Sequence, residues 1–136
     1  MKLSKIGADL IVTREGLRLK AYQDTKGIWT IGVGHTGPEV VRGLWITRDK
    51  AYELFYKDVE WAEEAVNEVK VPLTQNQFDA LVSFVFNIGA TAFAKSTMLR
   101  MLNVGDYEGA MKQFDRWVIP PEITGRRMSE KKQFST

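Results

Sequence analysis

The chain has 136 residues, 44% of them hydrophobic, which suits one compact domain or two small lobes sharing a helix and excludes a disordered polymer. It has no cysteine and one histidine, so neither a disulfide framework nor a thiolate or multi-histidine metal site can be built from it. Lys plus Arg exceeds Asp plus Glu by 19 − 17 = 2. That mild basic bias favours anionic polymers without requiring one, and it gives little reason to expect a nucleic-acid partner.

The first residues, Met1 to Asp9, contain two lysines but no apolar stretch of signal-peptide length, and no window approaches a membrane span. Stable membrane insertion is not expected. Ile6, Leu10, Ile11 and Leu17 recur at helical intervals, predicting a helix over 4–14 that ends near Glu15 and Gly16. The pattern then changes to short runs with turn signals. Asp24-Thr25-Lys26-Gly27 reads as a tight turn between strands at 18–22 and 28–33, with Ile28, Thr30 and Gly32 sharing one face of the second.

Thr47 is a cap for a long helix to about residue 70, with Ala51, Leu54, Phe55, Val59, Ala62, Ala65, Val66 and Val69 on one stripe. Asp58 falls within that stripe, where an unpaired carboxylate would be costly. Thr74-Gln75-Asn76-Gln77 fits a capping box opening an apolar helix from Phe78 to Ile88, with Gly89 as its stop. Because that helix is apolar around most of its circumference, it is expected at the centre of a helical lobe. Ser96 or Thr97 caps a helix to Asn103, Asp106 caps the next, Pro120-Pro121 ends it, and a short polar helix is expected over 123–134. The expected organisation is a single α+β domain over 1–136: a lobe at 1–46 with a short sheet, a connecting helix at about 47–70, and a helical lobe at 71–136.

Two carboxylates and a hydroxyl stand out. Glu15, eight residues, Asp24, five residues and Thr30 supply what glycosidic hydrolysis needs: one carboxyl group to protonate the leaving oxygen and a second to attack or to activate water. Taken singly, Glu15 reads as a solvated acid at a helix end, Asp24 as an Asx turn and Thr30 as a strand former.

The spacing, with Gly16-Leu17-Arg18-Leu19-Lys20 and Thr30-Ile31-Gly32-Val33-Gly34-His35 around it, closely resembles the phage-type lysozymes, the endolysins of glycoside hydrolase family 24. Pro72 to Leu81, Phe86-Asn87-Ile88-Gly89, Phe93 to Arg100 and Arg116-Trp117 resemble further segments of that family in the same order, so the likeness runs over roughly residues 3 to 117. It implies a lysozyme-like fold and a muramidase that cuts the β-1,4 bond between N-acetylmuramic acid and N-acetylglucosamine in peptidoglycan, without metal or cofactor, to lyse a bacterial host.

The same resemblance assigns Glu15 as general acid, with Asp24 and Thr30 positioning water for an inverting reaction, for which the two carboxyl groups need a separation of about 6.5–9.5 Å. It implies an ion pair between His35 and Asp58. It puts Thr36, Phe86 and Asn87 among substrate contacts, although Phe86 and Asn87 also read as core and C-cap. Arg126 corresponds to an arginine near the catalytic glutamate, and a solvated role fits it nearly as well. From Val118 to Arg127 the chain departs from the family pattern, leaving open how the last helix closes over the cleft. A monomer that accumulates in the host cytoplasm and depends on a separate membrane-permeabilising, holin-type protein is the implied setting, with a thin Gram-negative wall as target. The alternatives are a lytic transglycosylase and an inactive peptidoglycan-binding or structural module.

Overall fold

The structure, a computed structural model, describes all 136 residues. Two compact units divide the chain, Asp9–Glu60 and Met1–Ala8 with Trp61–Thr136. Helix α1 (Lys5–Glu15) contributes its first turn to the second of these and its remainder to the first.

In the unit Asp9–Glu60, α1 ends at Glu15 because Gly16 takes a left-handed φ of 87° and donates its N–H to the Val12 carbonyl at 2.8 Å, a conformation a side chain would oppose. Three antiparallel strands follow in the order β1 (Arg18–Gln23), β2 (Trp29–Gly32) and β3 (His35–Thr36). Tyr22 pairs with Thr30, Gln23 with Trp29 and Thr30 with Thr36. Alternation along the strands turns Ala21 and Ile31 into a small core with Val40, against which Trp29, Leu44 and Ile46 pack. Helix α2 (Arg48–Asp58) begins at Thr47, whose hydroxyl accepts the Lys50 N–H at 3.1 Å, and buries Ala51 and Phe55.

The other unit is helical: α3 (Glu60–Asn67, whose first residue lies across the division), α4 (Gln75–Ile88), α5 (Ala90–Ala94), α6 (Thr97–Asn103), α7 (Tyr107–Gln113) and α8 (Thr124–Phe134), with 3-10 turns at Phe114–Arg116 and Pro121–Ile123. Helix α4 opens with the full capping box of Thr74 and Gln77 and is buried continuously from Phe78 to Val85. Phe84 meets Phe114 and Trp117 edge-on, at centroid distances of 5.2 and 5.5 Å. Each such burial is worth about 1.5–3 kcal/mol. Gly7 makes the approach of α1 to α4 possible, since a Cβ there would lie 2.4 Å from the Asp79 carboxyl carbon. The buried Asp79 accepts from the Ser4 N–H, the Ser4 hydroxyl and the Gln75 amide.

The helix expected over 47–70 is two helices. Helix α2 ends at Asp58 and α3 begins at Glu60, with Val59 between them, although Val59 still donates to the Phe55 carbonyl at 2.9 Å. The expected apolar positions are buried or partly so: Ala51 and Phe55 of α2, Val59 at the break, and Ala62 and Val66 of α3 are buried, while Leu54, Ala65 and Val69 are half-buried. No helix is long and apolar enough to cross a membrane.

Candidate active site

Glu15 is exposed at the last residue of α1. Nine positions on, Asp24 closes the turn between β1 and β2. Its Oδ1 accepts the backbone N–H groups of Lys26 at 2.8 Å and Ile28 at 2.9 Å, while its own N–H donates to the Ile28 carbonyl at 2.9 Å. The Asx turn therefore exists, and it occupies one carboxylate oxygen only; Oδ2 has no hydrogen-bond partner.

Thr30 is almost entirely buried, at 4% exposure, and its hydroxyl donates to the same Ile28 carbonyl at 3.0 Å. Having spent its one proton there, the hydroxyl can act toward a further group only as an acceptor. Water held between these residues would donate to Thr30 and to the Asp24 carboxylate, leaving an oxygen lone pair free to attack. Thr36, exposed on β3, is the cross-strand neighbour of Thr30.

His35 and Asp58 meet, with Nδ1 2.6 Å from Asp58 Oδ2. The sequence reading missed the partner of the other ring nitrogen: Nε2 lies 2.7 Å from Glu39 Oε1. Partial burial disfavours the charged imidazolium, but the hydrogen bonds and opposite charges of Glu39 and Asp58 outweigh it, so the His35 pKa stands above its usual 6.5. The hydrogen bond to His35, with a backbone hydrogen bond, holds the Glu39 carboxyl below its ordinary range.

In the helical unit, Phe86 is half-buried near the end of α4 and stacks on Trp61 of α3, with ring centroids 5.9 Å apart. Asn87 is exposed, and its Oδ1 accepts from Arg127 Nη2. Arg126 Nε donates to Glu130 Oε2 at 3.1 Å and Nη2 to the Ser83 carbonyl at 2.9 Å. The last helix was expected to be polar, yet Arg127 and Glu130 are fully buried. Glu130 accepts from Arg127 Nη1, Arg126 Nε and the Ser83 hydroxyl, and Arg127 Nε reaches the Trp117 carbonyl at 2.7 Å. Every polar atom of this buried group thus has a partner, as the interior requires.

The sequence model of the phage lysozyme family matches residues 12–130. The endolysin of Salmonella phage P22 is 49% identical over 122 residues, spanning 86% of this chain and 84% of that protein. The endolysin of Acyrthosiphon pisum secondary endosymbiont phage 1 is 47% identical over 128 residues, spanning 93% and 86%. Among solved structures, a mutant of P22 lysozyme superposes with a TM-score of 0.94 at 43% identity, covering 100% of this chain and 99% of that one. The chain belongs to the phage lysozyme family and has its α+β lysozyme-like fold. It is a glycoside hydrolase, a muramidase of the endolysin kind.

Proposed function

We propose that Glu15 is the general acid that protonates the glycosidic oxygen, and that Asp24 and Thr30 hold and activate the water that attacks the anomeric carbon from the opposite side, with inversion. The bond cut is the β-1,4 link from N-acetylmuramic acid to N-acetylglucosamine in peptidoglycan, and the role is lysis of a bacterial host. The observation that supports this reading is the shared Ile28 carbonyl, which takes the Thr30 hydroxyl proton and leaves its oxygen as an acceptor, while also accepting the backbone N–H of Asp24, whose second carboxylate oxygen is not used by the turn. Inversion follows in this scheme because water, rather than the carboxylate, forms the new bond.

Phe86 and Asn87 of the helical unit and Thr36 of β3 are the substrate contacts in this account, an aromatic face for a sugar ring and polar groups for its acyl and hydroxyl substituents. His35, Asp58 and Arg126 support the site without entering the chemistry. The protein acts as a monomer, accumulates in the host cytoplasm, and reaches the wall once a separate holin-type protein has opened the inner membrane. Loss of turbidity in chloroform-treated cells tests the acid: Glu15→Gln keeps the shape and removes the proton, and should slow lysis by about 10²–10⁴-fold, the usual contribution of a general acid. Lysis at the parent rate would refute the assignment.

A further inference from the structure

Cations and aromatic rings gather along β1. Arg18, Lys20 and Tyr22 all lie in this strand, whose register against β2 shifts between Arg18 and Tyr22, and Lys20 is bridged to Trp45 on the neighbouring segment. The Arg18 guanidinium lies 4.5 Å from the centre of the Tyr22 ring, and the Lys20 ammonium lies 5.7 Å from that of Trp45. With Leu19 and Ala21 these side chains line an open hollow of about 410 Å³. Trp45 is 65% exposed, which leaves its indole accessible from solvent.

Neither Arg18 nor Lys20 is matched by a carboxylate; each is held over a ring instead. A ring orients a cation without cancelling its charge. The hollow therefore presents two positive charges and an accessible indole, features complementary to a polymer that alternates pyranose rings with carboxylates. The same strand leads directly to the proposed water-activating residue. Lys20 is four residues before Asp24, which follows the end of β1, so the two backbones are at most about 14 Å apart, and Tyr22 is the cross-strand partner of Thr30. A polymer long enough to extend that far beyond Asp24 can reach both.

We propose that the Arg18, Lys20, Tyr22 and Trp45 face is a second docking surface for peptidoglycan, outside the reacting sugars: the Trp45 indole stacks on a sugar ring, and Arg18 and Lys20 take stem-peptide carboxylates. The proposal rests on the muramidase reading for the identity of the polymer. It makes the surface a device for holding the insoluble wall, and short soluble oligosaccharides that do not span it gain nothing from it.

The test is co-sedimentation of full-length Glu15→Gln protein with purified sacculi, comparing it with the same protein carrying Trp45→Ala, Lys20→Glu or Lys112→Glu. Lys112 lies on α7 in an exposed pair with Glu108, so its substitution makes the same change of charge elsewhere. Half-saturation should rise by about three- to tenfold for Trp45→Ala and Lys20→Glu, the loss expected for one charged or aromatic contact, and should not move for Lys112→Glu. Sacculi whose stem-peptide carboxylates have been amidated should bind the Lys20→Glu and Lys20 proteins alike. Equal binding of all four proteins to intact sacculi would overturn the proposal, as would an undiminished Lys20 preference on amidated sacculi. Displacement by a phosphate-bearing wall polymer at lower concentration than by soluble muropeptides would also overturn it, assigning the surface to phosphate. Release of reducing ends in the same tubes reports whether Glu15→Gln is inert, so failure of the catalytic reading and failure of the docking surface give different results.

Discussion

Asp24 and Thr30 are joined through one residue, Ile28: its N–H donates to Asp24 Oδ1 at 2.9 Å, and its carbonyl accepts both the Asp24 N–H at 2.9 Å and the Thr30 hydroxyl at 3.0 Å. A two-strand turn thereby holds a carboxylate and a hydroxyl as one unit. The Asp24 oxygen used to build the turn is not the one that the proposed chemistry would use, so a structural and a catalytic role can be separated by substitution.

Asp24→Asn makes that separation. An amide placed with its oxygen toward Lys26 and Ile28 still accepts both backbone N–H groups, so the turn and the melting temperature should be nearly unchanged. Turnover of sacculi should fall by about 10²-fold or more, because the charge that draws a proton from water is gone. Equal losses of stability and of activity would instead make Asp24 a turn residue alone.

Thr30→Val keeps the buried shape and removes the hydroxyl. The lost hydrogen bond to Ile28 should cost about 1 kcal/mol of stability, while kcat should drop by roughly 10- to 100-fold as the water loses its second anchor. Thr30→Ser, which restores the acceptor, should recover most of the rate. Steady-state turnover alongside thermal melts distinguishes these effects, and a Val variant with parent kcat would remove Thr30 from the mechanism.

The His35 cluster gives stability a pH dependence. A pKa raised on folding means that the contribution is fully present below the unfolded value of about 6.5 and is lost as pH rises through the folded value. The depressed pKa of Glu39 works in the other direction, its contribution fading as pH falls through the carboxylate range. Asp58→Asn should therefore cost most near pH 5–6, about 1–2 kcal/mol for a partly exposed charge-assisted bond, and progressively less above neutrality. Melting curves across pH 5–9 test this. A deficit that grows with pH would reverse the sign, and a collapse of turnover with stability intact would place the pair in the chemistry.

Glu130 is the shared acceptor of two guanidinium groups, with Arg127 and Glu130 fully buried and Arg126 10% exposed. Glu130→Ala leaves those cations without their counter-charge, and breaking a buried pair in this way costs about 3–5 kcal/mol. For a chain of this length that corresponds to a fall in melting temperature of roughly 10 °C or more. A shift of a degree or two would show that water or another acid replaces Glu130.

The local elements were legible because their signals are local. Thr47, Thr74, Ser96 and Asp106 each cap a helix at the start expected of them, and Gly16 and Gly89 stand at helix ends with positive φ. The meeting of His35 with Asp58 could be anticipated because a carboxylate in an apolar stripe demands a partner and the family likeness suggested which. Glu39 gave no such warning, since it belongs to a loop without periodicity. Arg127 and Glu130, three apart on a polar helix, have the pattern of a solvated pair; their burial is decided by packing of α8 on α4, which no local pattern encodes. The break at Val59 is equally silent, for valine there is compatible with a continuous helix. The second oxygen of Asp24 and the spent proton of Thr30 emerge only from hydrogen bonds.

Stereochemistry tests the central claim most directly. Proton NMR of a peptidoglycan oligosaccharide digest, recorded before mutarotation equilibrates the products, reports the configuration of the newly formed reducing end. Water held by Asp24 and Thr30 opposite the Glu15 acid predicts that the β linkage yields the α anomer first. An initial β anomer would require a covalent intermediate, a 1,6-anhydro end would mean that no water attacked, and either would contradict the account.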